Sequence, residues 1–151
     1  MAVQILLVDD NPIQAITRRL ILEHSGFSVK TYTSAKQALN ALEMDTEHAI
    51  DLVITDHIMP ELSGTAFVCQ LREINSQIPV VVLSGMAEAE EEYQDYNVIF
   101  RTKPIAPHEL QALVVGLVNS PSYLENKDKP RHANVEAPIL SPLRRFLTRD
   151  K

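Results

Sequence analysis

Five short apolar runs alternate with helical patterns along this chain, and the alternation restricts the fold more than any other feature. The runs cover residues 3–8, 27–32, 52–55, 79–83 and 98–102. Short apolar runs bounded by turn signals are typical of strands, and those that do not alternate with polar residues indicate burial on both faces of a parallel sheet. Each run is therefore predicted to be a strand.

The segments between the runs have the spacing and the end signals of helices. Asn11 is a predicted N-cap, and the proline after it suits the first helical position. Ile13, Ile16 and Leu20 recur at helical spacing and are expected to face the core, with Arg18 facing away. Similar patterns predict four more helices.

Strands that alternate with helices of this length imply right-handed crossovers and a sheet that is covered on both faces. The fold class is therefore α/β, with a doubly wound, flavodoxin-like, five-stranded parallel sheet. The predicted strand order is 2-1-3-4-5, with five helices.

Charge divides the 151-residue chain near residue 120. Residues 1–119 hold 7 Lys and Arg against 16 Asp and Glu, a net charge of −9, whereas residues 120–151 hold 7 against 4, a net charge of +3. We predict a compact domain at 1–119 and a linker at 120–137, which is rich in Pro, Asn, Lys and Asp. Residues 138–151 are predicted to be a basic amphipathic segment with a short helix, because apolar residues recur opposite basic ones.

Composition excludes several classes of protein. The acidic body argues against nucleic acid as a partner, because phosphate contacts need clustered Lys and Arg. No run approaches the ~18 apolar residues of a membrane span. A single cysteine excludes an internal disulfide, and the N-terminus lacks the pattern of a signal peptide, so a cytoplasmic location is expected.

Polar residues stand at the C-terminal ends of four predicted strands. They are the pair Asp9 and Asp10, then Asp56, Ser84 and Lys103. Each could simply cap a turn or reach solvent. In the predicted winding, however, all of them meet at the edge of the sheet where α/β proteins bind ligands.

This combination of groups suits phosphoryl transfer. Converging carboxylates repel each other unless a cation lies between them, and oxygen ligands in small number suit Mg²⁺, with Mn²⁺ as an alternative. Asp56 could attack phosphorus and become an acyl phosphate. Lys103 could balance the charge of the transferred group, and Ser84 could donate a hydrogen bond to it.

Four motifs make the chain resemble the receiver domain of two-component response regulators over residues 3–119. They are LLVDDNP at 6–12, DLVITDHIMPELSG at 51–64, VVVLSG at 80–85 and FRTKPI at 100–105. The resemblance implies phosphoryl transfer from a histidine kinase or a histidine phosphotransfer protein, followed by hydrolysis of the aspartyl phosphate. The chain would take part in its own phosphorylation and dephosphorylation and have no separate enzymatic output.

The resemblance also implies roles for the acidic residues. It makes Asp56 the phosphoacceptor and Asp10 a direct Mg²⁺ ligand. Asp9 would act on the metal largely through water, and Ile58 would be a ligand through its backbone carbonyl oxygen.

The remaining implied roles belong to the last two strands. Ser84 and Lys103 would contact the phosphoryl group. Ser84 and Phe100 would form the switch, with Phe100 at the position of the switch aromatic. Pro104 lies where such domains have a cis peptide bond.

Two other functions compete with that of a phosphorylated receiver. A phosphatase of the haloacid dehalogenase type would need a second aspartate two residues after the nucleophile, where this chain has Ile58. The thirty-two residues after 119 are too few for an output domain, so we expect a stand-alone receiver that signals by protein contact or relays phosphate. The alternative is a phosphorylation-independent adaptor that binds through its C-terminal helix.

The chain departs from the family pattern in the fourth connection. Lys103 follows Ser84 by 19 positions. Members of the family usually have a longer spacing here, by about the number of residues in one helical turn. We expect a shorter fourth helix or a lost loop, and a homodimer, if one forms, by a surface other than the usual one. Ile58 and Met86 flank the site, and we hypothesise that they hinder the water that attacks the phosphoryl group.

Overall fold

A computed structural model of the chain describes residues 2–127. Five parallel strands form one sheet in the order β2-β1-β3-β4-β5, which confirms the predicted topology. The strands are β1 Gln4–Val8, β2 Ser28–Tyr32, β3 Leu52–Asp56, β4 Val80–Ser84 and β5 Ile99–Thr102.

Six helices cover the sheet in the described part of the chain. They are α1 Pro12–His24, α2 Ala35–Met44, α3 Gly64–Ile74, a 3₁₀ helix Ala87–Tyr96, α4 Pro107–Val118 and α5 Pro121–Lys127. Polar side chains cap the first three of them, as N-cap preferences require. Asn11 accepts hydrogen bonds from the backbone at the start of α1, and Ser34 and Ser63 do the same for α2 and α3.

Alternate residues of each strand enter two separate cores. One core lies between the sheet and α2, α3 and the 3₁₀ helix, and the other lies between the sheet and α1, α4 and α5. On β4, Val80 and Val82 belong to the first core, and Val81 and Leu83 belong to the second. All five residues of β3 and of β4 are buried, as expected for central strands of a sheet covered on both faces.

The predicted inward face of α1 is wrong. Ile13, Ile16 and Leu20 are 76 %, 48 % and 56 % exposed, whereas Ala15 and Leu22 are buried. Residues three and four apart share a face of a helix, so the buried face of α1 passes through Arg18, which lies between Ala15 and Leu22. An arginine on the inward face of a helix is unusual, because charged side chains are seldom buried unless they are paired.

The fourth connection is a 3₁₀ helix of ten residues, Ala87–Tyr96. A 3₁₀ helix rises about 2.0 Å per residue against about 1.5 Å for an α-helix, so ten such residues cover the distance of about thirteen α-helical ones. Because of this greater rise per residue, the connection from Ser84 to Lys103 spans the same distance with about one turn fewer residues. Ala89 and Tyr93 anchor it to the core.

Helix α5, Pro121–Lys127, lies where a linker was predicted. The Ser120 Oγ accepts a hydrogen bond from the Tyr123 backbone N–H at 3.3 Å, and a proline occupies the first turn, so the local sequence starts a helix. Tyr123 is 6 % exposed and belongs to the second core. The predicted C-terminal segment 138–151 lies outside the described residues.

Candidate functional site

Three carboxylates converge at the C-terminal edge of the sheet. Asp9 and Asp10 follow β1 directly, and Asp56 is the last residue of the neighbouring β3. One carboxylate oxygen of each residue lies within 4.8 Å of those of the other two. Asp9 and Asp56 are buried, and Asp10 is exposed to solvent. The strand order thus brings together acids that are 46 and 47 positions apart in the chain.

Lys103 joins this cluster from the end of β5. Its Nζ lies 2.8 Å from Asp56 Oδ1, and its side chain is 28 % exposed. The Lys103–Pro104 peptide bond is cis. The Lys103 ammonium group thus pairs with the buried Asp56 while part of the lysine side chain remains exposed.

Ser84 and Phe100 lie on the neighbouring strands β4 and β5. Ser84 is buried, and its hydroxyl accepts a hydrogen bond from the Met86 backbone N–H at 2.9 Å and lies 3.2 Å from the Met86 carbonyl oxygen. In this arrangement the hydroxyl is bonded to the following loop. Phe100 is 8 % exposed, and its ring centroid lies 5.9 Å from that of Tyr93. Ile58, two residues beyond β3, is 66 % exposed.

Arg18 is the site residue that the sequence interpretation missed. Its guanidinium forms an ion pair with Asp9 Oδ2, and the same Nη1 atom lies 3.3 Å from Asp56 Oδ1. The side chain is only 12 % exposed. The available signal was its position three residues after Ala15 and four before Leu22, which places it on the face that is buried.

The electrostatic balance of the pocket is most evident at Asp9. Burial raises the pKa of Asp9 to about 7, and its hydrogen bond with the Asp56 carboxyl acts in the same direction. The Asn11 backbone N–H, which donates to Asp9 Oδ1 at 2.9 Å, and the guanidinium of Arg18 act against this shift. A buried carboxylate of this kind favours a nearby cation.

His57, directly after Asp56, belongs to a different hydrogen-bond network. Its Nδ1 lies 2.6 Å from the Tyr93 hydroxyl oxygen, and its Nε2 lies 3.7 Å from Glu92 Oε2. Gly64 is packed against the same group, since a Cβ atom there would lie 2.5 Å from the Tyr93 hydroxyl and 2.7 Å from the Asp56 carbonyl oxygen. The imidazole therefore contacts the 3₁₀ helix and not the acidic pocket.

The residues present fit a divalent metal ion. Carboxylate oxygens are the ligands that Mg²⁺ prefers, and this ion retains several of its waters. The exposed Asp10 opens the cluster to solvent, which leaves room for those waters. Asp9, Asp10 and Asp56 are the residues that could hold the ion.

Within residues 2–127, no helix is long and apolar enough to cross a lipid bilayer.

A family model described as the response regulator receiver domain matches residues 5–115. Among known proteins, the response regulator MprA of a Mycobacterium species is 30 % identical over 152 residues, covering 99 % of this chain and 64 % of its own length. The response regulator Rre1 of Synechocystis is 34 % identical, covering 77 % of this chain and 52 % of its own length. This chain thus spans about half to two thirds of these relatives.

Solved structures agree with the family match. A response regulator receiver protein from Sinorhizobium medicae superposes with a TM-score of 0.69 at 31 % identity, covering 79 % of this chain and 96 % of that one. A CheY-like receiver domain protein from Methanospirillum hungatei has a TM-score of 0.73 at 20 % identity, covering 79 % and 95 %, which supports the fold alone.

Proposed function

The chain belongs to the response regulator receiver domain family, and we propose that it is a switch that accepts a phosphoryl group on Asp56. The observation that carries the proposal is the 2.8 Å contact between Lys103 Nζ and Asp56 Oδ1 beside two further carboxylates. A buried carboxylate can act as the nucleophile. The ammonium group beside it can then stabilise the negative charge of the phosphoryl group that it accepts.

The phosphoryl donor is a phosphohistidine of a histidine kinase or of a histidine phosphotransfer protein. A carboxylate oxygen of Asp56 attacks the phosphorus and forms a P–O bond, while the P–N bond to the donor histidine breaks. The departing ring nitrogen keeps the electron pair and takes a proton from water. Lys103 stabilises the negative charge on the phosphoryl oxygens, and no general base is required because Asp56 attacks as a carboxylate.

Asp10 and Asp56 would hold Mg²⁺ or Mn²⁺ directly, together with the backbone carbonyl of Ile58, and Asp9 would act through water. When bound, the ion supplies charge that neutralises the phosphoryl oxygens. Hydrolysis returns the switch to its starting state, because attack of water on phosphorus breaks the P–O bond and releases Asp56 and inorganic phosphate.

The signal begins at Ser84. Its hydroxyl exchanges its bonds with Met86 for a hydrogen bond to a phosphoryl oxygen, and the space that opens admits the ring of Phe100. This change biases a two-state equilibrium that a partner protein reads. We place the switch in the cytoplasm, where a chain with one cysteine remains reduced.

The direct test is intact-mass spectrometry after incubation with Mg²⁺ and acetyl phosphate, a small phosphoryl donor. We expect the mass of one phosphoryl group to be added, and we expect Asp56→Asn to abolish the addition. Asp95→Asn is the matched control, because Asp95 is an exposed acid in the 3₁₀ helix, away from the pocket.

Addition to Asp56→Asn at the same level as to the unsubstituted chain would refute the assignment of Asp56. Absence of the addition with acetyl phosphate, and again with a panel of phosphorylated histidine phosphotransfer proteins, would overturn the switch. It would favour the phosphorylation-independent adaptor instead.

A further inference from the structure

Arg18 occupies an unusual place for a cationic side chain. It lies two turns into α1, on the helix face that carries the buried Ala15 and Leu22, and its side chain is 12 % exposed. The start of this helix is held to the pocket by a hydrogen bond of 2.9 Å, which the backbone N–H of the N-cap residue Asn11 donates to Asp9 Oδ1. The helix therefore directs Arg18 back toward the carboxylates.

The guanidinium contacts two of the three carboxylates that could hold a metal ion. Asp9 Oδ1 is bonded to the Asn11 N–H, and Asp9 Oδ2 is paired with Arg18. Asp56 Oδ1 is shared between Lys103 at 2.8 Å and Arg18 at 3.3 Å. Arg18 thus bridges the two buried members of the acidic cluster.

The charges of the pocket make this bridge significant. Asp9, Asp10 and Asp56 contribute three negative charges when ionised, and Lys103 with Arg18 contributes two positive ones. A divalent ion among the same carboxylates would lie close to the guanidinium, and the two like charges would repel each other most beside the buried Asp9 and Asp56. Arg18 and the metal ion are therefore alternative cations for the same carboxylates.

We propose that Arg18 is a resident cation that competes with the divalent metal for Asp9 and Asp56, so that metal binding requires its side chain to leave them. This proposal rests on the proposed function, which assigns the metal to the same carboxylates. Arg18 is a positioning residue in this account. It balances part of the negative charge of the pocket without metal, and it weakens metal binding relative to what the carboxylates alone would give.

The test is calorimetric titration of the full chain with Mg²⁺ in the absence of any phosphoryl donor. Arg18→Met removes the charge while keeping a flexible, unbranched side chain, and Arg18→Gln removes it while keeping a hydrogen-bond donor. Both are expected to bind Mg²⁺ at least about tenfold more tightly than the unsubstituted chain, equivalent to ~1.4 kcal/mol. A pH of about 8.5 keeps Asp9 ionised, so that protons do not compete with the metal.

Arg19→Met is the matched control, because it removes the same charge one position further along α1. The Arg19 side chain is 39 % exposed, and its Nε lies 3.8 Å from Glu23 Oε1, outside the pocket. We expect its Mg²⁺ affinity to change by less than about twofold, because exposed charges are screened by solvent and salt.

A second measurement covers the case in which an Arg18 variant is poorly folded. Thermal unfolding with EDTA should show a lower midpoint for Arg18→Met than for Arg19→Met, and Mg²⁺ should raise the Arg18→Met midpoint by more than it raises that of the unsubstituted chain. A residue that merely supports the fold would lower the midpoint without increasing the response to metal.

The outcomes separate this inference from the proposed function. If the unsubstituted chain binds Mg²⁺ and Arg18→Met binds it equally or more weakly, the competition is refuted, whereas the phosphoacceptor role of Asp56 is untouched. If no variant binds Mg²⁺ and Asp56 also fails to accept a phosphoryl group, it is the proposed function that fails. Binding by Arg18→Met alone would be the strongest support for the competition.

Discussion

The folded structure opposes the ionisation of Asp9, mainly because the carboxyl group is buried. Its pKa rises from 3.8 to about 7, chiefly through burial and then through the Asp56 carboxyl. Between these two values the folded chain binds more protons than the unfolded chain. The contribution of Asp9 to the free energy of unfolding should therefore be highest below the lower value and decrease as the pH rises toward 7.

We predict that the metal-free protein loses stability as the pH rises from about 5 to about 7, by up to ~1.4 kcal/mol per pH unit. Asp9→Asn removes the titrating group, so its unfolding free energy should lack this decrease. Urea unfolding in EDTA at a series of pH values measures both chains. Parallel pH profiles for the two would contradict the elevated pKa of Asp9.

Ile58 and Met86 are the apolar residues that flank the site, and they are 66 % and 41 % exposed. We predict that Ile58→Asn or Met86→Glu speeds the loss of the phosphoryl group by about threefold, equivalent to ~0.7 kcal/mol in the barrier, because a polar side chain can orient the attacking water. The decay of phosphorylated protein after removal of the donor measures the lifetime. Met44→Glu is the control, since Met44 is 73 % exposed at the end of α2. Lifetimes equal to that of the control would disprove the hypothesis.

At the scale of elements, the strands and the site were easier to predict than the helix faces. The strand order follows from the alternation of elements, and it alone brings Asp9, Asp56 and Lys103 to one edge. The face of α1 could not be predicted by counting apolar residues, because the inward side includes Arg18, a charged residue whose two carboxylate partners come together only in the folded sheet. The residue pattern of Ala87–Tyr96 predicts a helix with Ala89 and Tyr93 on one face, but it does not distinguish the 3₁₀ winding from an α-helix.

The orientation of α1 can be tested with two leucines that lie two positions apart. Leu22 is fully buried in the second core, and Leu20 is 56 % exposed. We predict that Leu22→Ala lowers the unfolding free energy by about 3 kcal/mol, through lost burial and the cavity left behind. Leu20→Ala should change it by less than ~0.5 kcal/mol. Urea unfolding of both variants measures the difference, and a larger effect at Leu20 would restore the predicted face.

The turn between β3 and α3 can be tested with two glycines. A Cβ atom on Gly64 would meet the Asp56 carbonyl oxygen and the His57 Cα at 2.7 Å, both of them backbone atoms, whereas one on Gly116 in α4 would meet nothing within 4 Å. We predict that Gly64→Ala destabilises the fold by at least about 2 kcal/mol. Gly116→Ala should stabilise it by about 0.5–1 kcal/mol, because alanine favours the helix. Equal changes in a urea unfolding experiment would rule out close packing at Gly64.

At the scale of the whole molecule, the acidic pocket and the contacts of helix α5 lie at opposite edges of the sheet. The acidic pocket is at the C-terminal ends of the strands. Tyr123 of α5 lines a cavity of about 200 Å³ with Ile78, Pro79 and Val80, which lie at or just before the start of β4. Helix α5 therefore stabilises the fold from the edge that is remote from Asp56. This separation predicts that α5 affects stability and not the reaction.

We predict that Tyr123→Ala lowers the unfolding free energy by about 2 kcal/mol, because the ring is 6 % exposed and packed in the second core. The initial rate of phosphorylation by acetyl phosphate should stay within about twofold of the original at a temperature where the variant is folded. Leu124→Ala is the control, since its neighbour Leu124 is 51 % exposed and should affect neither quantity. A phosphorylation rate that falls in Tyr123→Ala while the variant remains folded would show that the two edges are coupled through the sheet. Unchanged stability would instead show that α5 is not anchored by Tyr123.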